Sequence, residues 1–405
     1  MSEERAHGRG SREPDPAGPL SEREDAARER EEAIAEGIGL HDAGRRAAEE
    51  TGPGPPPGAQ YLPEPEITRL GRLAHDVRID LRVLADAMTE LSAEPVERRA
   101  ESLSGIPSSS DPHLERTVHG TTRTVDLSPV AHVDAEGARI GYRASGQGPP
   151  LLMLMGFGGV MGAWDPDLVR GIALAGRRVT LIDHRGVGTS AGGELGALTI
   201  ASMADDAAAV LDALGVGRAD VLGWAMGGYV AQELALRHPD RVGSLILAAS
   251  DAGGPTAVHG APDVAVDPGE ATPEDLLSVS FPAEEEAQRA GRAWLARVAA
   301  QRDAHEAWFR MPAEALAAQA AAEGPGWLAP GAGTRDRLDR IMAPTLVLSG
   351  AEDPVIHPDN SRLLAEDIPT SILRIYPGAG HAFLFQDPAR VATDVADFLR
   401  GRLQP

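Results

Sequence analysis

The 405 residues include no cysteine, which excludes disulfides, thiolate nucleophiles and Cys-ligated zinc or iron–sulfur sites, and leaves the redox compartment open. Aromatic residues are scarce at 4%, and none precedes Tyr61. Residues 1–65, rich in Glu, Arg, Ala, Gly and Pro, therefore have nothing from which to build a core and read as an acidic, disordered or weakly helical tail. No stretch reaches the roughly 18 consecutive apolar residues of a membrane span, and the charged start Met1-Ser2-Glu3-Glu4-Arg5 lacks the apolar segment of a secretory signal. A cytoplasmic location without a membrane span is expected. Basic residues are in deficit: 38 Lys and Arg face 61 Asp and Glu, and the net charge of -23 repels phosphate backbones, which argues against nucleic acid as a partner.

What is present divides into three stretches. After the tail, Leu70, Ala74, Val77, Leu81, Leu84, Met88 and Leu91 recur at spacings of four and three, one face of an amphipathic helix within residues 66–112. That stripe suits docking on the protein's own body, a homodimer seam or a partner helix across residues 67–91. From residue 113 to 405 the pattern is that of a catalytic-type domain. Strand-like runs are expected at Thr121 to Leu127, Ala138 to Arg143, Leu151 to Met155, Val179 to Asp183, Ala219 to Trp224, Ser244 to Ser250, Thr345 to Gly350 and Ser371 to Tyr376, separated by helical stretches. That rhythm predicts an α/β fold: a mostly parallel twisted sheet with helices on both faces. After the sixth of these strands the rhythm breaks over about residues 252–340, where prolines punctuate short helical pieces such as Ala287 to Arg302 and Met311 to Ala322. An insertion at a strand's carboxyl end reads as a helical lid, because ligands of such sheets bind there.

The most informative absence is a hydroxyl. Gly223-Trp224-Ala225-Met226-Gly227 joins the apolar run Ala219 to Leu222 to a helical stretch, giving strand, sharp turn and helix with glycines where the turn leaves no room. With Met155-Gly156-Phe157-Gly158-Gly159, Asp183-His184-Arg185-Gly186-Val187-Gly188, Gly350-Ala351-Glu352-Asp353-Pro354 and Gly378-Ala379-Gly380-His381-Ala382-Phe383, it resembles the α/β-hydrolase superfamily. The likeness lies in the lidded esterase, lactonase, epoxide-hydrolase and proline-iminopeptidase-like branch and covers about Val118 to Leu403. Each short pattern is weak alone; five in order on the expected elements are strong.

The resemblance implies a Ser-His-Asp hydrolase of a small apolar ester, lactone or amide-like substrate, with Ala225 at the nucleophile position, His381 as base and Asp353 as its acid. It further implies that the backbone amides of Phe157 and Met226 form the oxyanion hole, and that Trp224, Gly156 and Phe383 line the substrate pocket. The family position filled by Met155 is often His. Asp183 and Arg185 read as structural; Asp251, at a strand end that some members of the family use for the acid, reads here as a loop or cap residue, and Glu352 as solvent-facing. Trp164, Phe281, Trp294, Trp308, Phe309 and Trp327 are candidates either for an apolar pocket or for packing the lid. No HExxH, P-loop or dinucleotide fingerprint occurs, so neither a metal nor another cofactor is expected. Three arrangements suit the alanine: a serine hydrolase in which Ser has been changed to Ala, a lyase-like or cofactor-free oxygenase-like enzyme using His381 and Asp353 as a general-base pair, or a ligand-binding pseudohydrolase.

Overall fold

The computed structural model describes residues 126–135, 137–259, 273–301 and 312–403; the expected tail, the amphipathic helix at 67–91 and the linker after it lie outside the described residues. The sheet consists of β1 (Ala131–Ala135), β2 (Ala138–Ser145), β3 (Pro150–Leu154), β4 (Arg178–Ile182), the two-residue β5 (Ala191–Gly192), β6 (Ala219–Trp224), β7 (Val242–Ala248), β8 (Thr345–Gly350) and β9 (Ser371–Tyr376). Their order is β1-β2-β4-β3-β6-β7-β8-β9, with β5 on β2. β1 and β2 form an antiparallel hairpin and β2 is antiparallel to β4; from β4 through β9 every pairing is parallel. The central strands are mostly apolar and almost wholly buried, because helices bury both faces of a parallel sheet.

The helices are α1 (Pro166–Leu174), α2 (Ile200–Ala213), α3 (Met226–Arg237), α4 (Pro273–Ser280), α5 (Glu285–Gln301), α6 (Ala313–Trp327), α7 (Pro358–Asp367), α8 (Phe383–Gln386) and α9 (Pro388–Leu399). The chain steps one way along the sheet from β3 through α1 to β4, and the other way from β6 through α3 to β7. Right-handed crossovers then put α1 and α3 on opposite faces. The contacts agree: α1 packs with α9, and α2 with α3. The direction reverses between β3 and β6, so the crevice at their carboxyl ends is where such a sheet binds ligands.

Of the expected strand from Thr121 to Leu127, residues 121–125 lie outside the described residues, and one strand was not expected. Asp126 and Leu127, expected to end a strand begun at Thr121, lie in an irregular segment, and the hairpin strand is Ala131–Ala135. This short edge strand carries His132 and Asp134 and is mostly half-buried, so it has no apolar run to announce it.

Between β7 and β8 the chain leaves the sheet and forms α4, α5 and α6, followed by a 3-10 turn at Arg335–Arg340. Arg297 of α5 holds the buried Asp165 at 2.6 Å, and Trp294 donates to the Ala163 carbonyl at 3.3 Å. Past α6, the Thr334 hydroxyl donates to Gln232 Oε1 at 2.6 Å and Arg337 pairs with Glu233, both acceptors being on α3. Among the described residues no helix is long and apolar enough to cross a membrane.

Candidate active site

The turn from β6 into α3 is set by its neighbours. A Cβ on Gly223 would sit 2.1 Å from the Gly227 carbonyl oxygen, and one on Gly227 would sit 2.1 Å from the Leu154 carbonyl oxygen, so strand and helix approach as only glycine allows. Between them Ala225 takes φ 51 and ψ -119, a conformation that costs an L-residue about 1–3 kcal/mol. Its carbonyl accepts the Gly228 amide at 2.8 Å and the Ser250 hydroxyl at 3.1 Å, which hold the strained peptide in place. Met226 opens α3, so its N–H is one of the first four that have no partner within the helix. Replacing Ala225 by Gly removes the Cβ that makes this conformation costly, and is expected to stabilise the fold by about 1 kcal/mol in denaturant unfolding. An unchanged or lowered midpoint would mean that the turn carries no strain.

Asp353 and His381 come from the loops after β8 and β9 and meet at the same edge of the sheet. His381 Nδ1 lies 2.9 Å from Asp353 Oδ2, and Asp353 Oδ1 accepts the amides of Val355 and Ile356 at 2.9 Å each. With the carboxylate fixed by two backbone donors, the imidazole is oriented through one nitrogen and its other nitrogen is left for chemistry. Trp224 braces it further: its indole N–H donates to the His381 carbonyl at 3.2 Å and the two rings are centred 5.2 Å apart. Glu352 is exposed.

Asp183 and Arg185 shape the loop after β4. Asp183 accepts the Met161 amide and the Thr189 amide and hydroxyl, all at 2.7 Å, and complete burial pushes its carboxyl up to about 6. Arg185 forms a two-pronged pair with Asp206. His184 donates from Nε2 to the Met155 carbonyl at 3.0 Å, and burial drives its ring down to about 4, so it is neutral at pH 7. Met155 packs against Gly159, where any Cβ would meet its side chain at 2.3 Å.

Asp251 lies in the loop after β7, as expected, but its carboxylate does more than cap that loop. It is fully buried, its Oδ2 accepts the Tyr229 hydroxyl at 2.6 Å and His259 Nε2 at 3.1 Å, and its Oδ1 accepts the Gly253 amide at 2.6 Å and the Trp327 indole at 2.9 Å. Burial pushes this carboxyl up, but the bonds from His259, Tyr229 and Trp327 outweigh it and hold it below the usual range. His259 answers in kind: burial lowers it, Asp251 raises it more, and it ends above an ordinary imidazole. The segment carrying it is stitched to the Asp353 loop by a His259–Ile356 bridge and by the His357 amide donating to the Val258 carbonyl at 3.1 Å. Two carboxylate–imidazole pairs thus share one buried neighbourhood.

The aromatics form a wall beside His381. Trp224 meets Phe385 edge to face at 5.1 Å, Phe385 stacks on Trp294 at 4.8 Å, and Trp164 closes on both. Phe383, expected in this pocket, makes its ring contact with Tyr376 at 4.9 Å; on the short α8, Phe385 takes the place next to Trp224. Trp327 stacks on Tyr229 at 4.7 Å, and Trp308 and Phe309 lie outside the described residues. Sequence reasoning also missed two side chains of α6, Gln319 and Glu323. Gln319 Oε1 accepts the Gly158 amide at 2.7 Å, next to Phe157. Glu323 is buried, which pushes its carboxyl up to about 7 against the attraction of His259 and His381. A Gln and a Glu four apart among alanines were the available signal.

A parallel sheet with a strained strand–turn–helix at its centre, and an acid and a histidine on the two following strand ends, defines the class of α/β hydrolases. The sequence profile of the alpha/beta hydrolase fold matches residues 149–388, and the chain belongs to that family. It is 33% identical over 275 residues to a protein of Azorhizobium caulinodans that carries the provisional name carbamate hydrolase RutD, covering 63% of this chain and 92% of the relative. It is 31% identical over 267 residues to the 2-hydroxymuconate semialdehyde hydrolase of Pseudomonas sp. strain CF600, covering 65% and 92%. Among solved structures, an alpha/beta hydrolase fold protein from Chitinophaga pinensis superposes with a TM-score of 0.59 at 28% identity, covering 67% of this chain and 97% of the other.

Proposed function

We propose that the site receives the carbonyl of a small, largely apolar ester, lactone or amide-like compound, and that it is a Ser-His-Asp hydrolase site stopped before the acyl-enzyme by Ala225. The amides of Phe157 and Met226 are the oxyanion donors, His381 is the base, Asp353 fixes its tautomer, and Trp224 and Gly156 flank the carbonyl. The observation that carries this reading is the 2.9 Å Asp353–His381 pair standing intact beside an elbow whose central residue has no hydroxyl. Substrate can bind and be polarised, but no side chain at the elbow tip can attack. The hydrolase names of the relatives support the same class of reaction.

The test is Ala225→Ser, assayed with short p-nitrophenyl esters and a fluorophosphonate label. Ester turnover and labelling at position 225 are expected, with neither in the unaltered chain. Turnover by the unaltered chain that His381→Ala abolishes would replace this reading with general-base chemistry on water. A folded chain that stays inert in both forms yet retains an apolar ligand would make it a binding protein.

A further inference from the structure

Gln319 and Glu323 stand one turn apart on α6 and therefore on one face of that helix. That face is turned to the site. Gln319 Oε1 reaches the Gly158 amide in the loop after β3, and Glu323 lies within electrostatic reach of Tyr229 on α3, of Asp251 and His259 after β7, and of His381 after β9. Both side chains are buried, and each holds one polar atom without a partner: Gln319 Nε2 and Glu323 Oε2. A buried polar atom left unpaired costs about 1–3 kcal/mol, and two such atoms on adjacent turns of one face are a concentrated cost.

The residues around them do not remove it. His259 is committed to Asp251 and His381 to Asp353; the Tyr229 hydroxyl, which also comes within hydrogen-bonding reach of the Glu323 carboxyl, donates its single hydrogen to Asp251 at 2.6 Å and leaves Glu323 Oε2 unpaired. What remains is a fixed donor, the Gln319 amide N–H, beside a carboxyl oxygen able to accept. Among neutral carbonyl compounds, a group that satisfies both at once has a carbonyl oxygen and an N–H in the same plane.

We propose that Gln319 and Glu323 form a polar subsite for an amide-type group, a carboxamide, carbamate or urea, whose carbonyl accepts from Gln319 and whose N–H donates to Glu323. It rests on the reading of the site as a receptor for small carbonyl compounds, and narrows the substrate class to those carrying such a group. An ester offers the acceptor but no donor, so it leaves the Glu323 oxygen unpaired.

The unaltered chain suits the experiment, since Ala225 allows affinity to be measured without acyl transfer. Calorimetric titration at pH 8 compares 2-phenylacetamide with methyl phenylacetate, which share the ring and differ at the amide. The amide is expected to bind about tenfold tighter, the equivalent of one hydrogen bond to a charged acceptor. Glu323→Leu is expected to erase that preference while leaving ester affinity within about threefold, and Glu323→Gln, which keeps an acceptor, to retain most of it. A thermal melt of each variant verifies that the fold is kept. Amide affinity is also expected to rise between pH 6 and pH 8 in the unaltered chain, as Glu323 ionises and becomes the better acceptor, and to rise less in Glu323→Gln. His381, His259, Tyr229, Asp251 and Asp353 face the same space, and only the part of the rise that Glu323→Gln removes is assigned to Glu323.

Equal affinity for amide and ester in the unaltered chain overturns the subsite but leaves the carbonyl site standing. A preference that survives Glu323→Leu assigns the recognition elsewhere and likewise overturns it. Binding of neither compound, together with an inert Ala225→Ser chain, overturns the carbonyl site and the subsite with it.

Discussion

In the Ala225→Ser chain, His381→Ala is expected to cut kcat for a p-nitrophenyl ester about a million-fold, while the same change in the unaltered chain leaves the background rate within about twofold. A hydroxyl at the elbow is a poor nucleophile until a base takes its proton, and His381, fixed at 2.9 Å from Asp353, is positioned to be that base. The two groups act as a unit, so removing either removes nearly all that both supply. With Ala at 225 the unit does not exist, and deleting the imidazole takes away nothing the ester can use. The four-variant cycle therefore expects a coupling close to the whole effect of either substitution. Equal losses in both backgrounds would sink the pairing of 225 with 381. Asp353→Asn in the serine-bearing chain should fall about ten-thousand-fold, because the ring then loses its fixed tautomer.

Asp251→Ala is expected to destabilise the fold by about 3–5 kcal/mol, read as a shift in the denaturant midpoint. This carboxylate accepts from Tyr229, His259, Trp327 and the Gly253 amide, and its removal takes the acceptor from four donors at once. The deficit should depend on pH with a definite sign. Asp251, held below the usual carboxylate range, contributes stability that is lost as pH falls through its folded-state pKa. His259, held above its ordinary value, contributes stability that is lost as pH rises through its own. The gap between the two chains is thus widest at mildly acidic pH and narrows above the raised pKa of His259. A deficit below about 1 kcal/mol would show that the network gives nothing beyond ordinary surface bonding.

The parts legible in the sequence are those that local chemistry dictates. β6, β8 and β9 are short, mainly apolar segments rich in Val, Leu and Ile, and the glycines at 223 and 227 announce a turn where strand and helix nearly touch. β1 is not legible in the sequence, because a half-buried edge strand with a His and an Asp in five residues has little pattern. Asp251 was undervalued for a different reason. Its partners lie on α3, on the segment after β7 and at the end of α6, and only the folded sheet brings them to one point. Phe383 and Phe385 are two residues apart on one short turn, and no periodicity decides which of them meets Trp224. Gln319 and Glu323 show the same limit, because an alanine-rich helix whose polar residues are Glu314, Gln319 and Glu323 gives no sign of which of them face water and which the interior.

The bond from the Gly158 amide to Gln319 has a consequence for the order of events at the site. α6 cannot lift to admit a ligand without releasing an amide that belongs to the same tight turn as Phe157. When that anchor goes, the turn is freer to reorient, and the geometry needed to receive a developing negative charge goes with it. An arrangement open enough to load is then too loose to stabilise charge, and one fully organised is already shut. If the Phe157 amide is an oxyanion donor, as proposed, and α6 lifts to admit a ligand, admission and charge stabilisation would have to occur in succession, with the Gly158–Gln319 hydrogen bond marking the boundary between them.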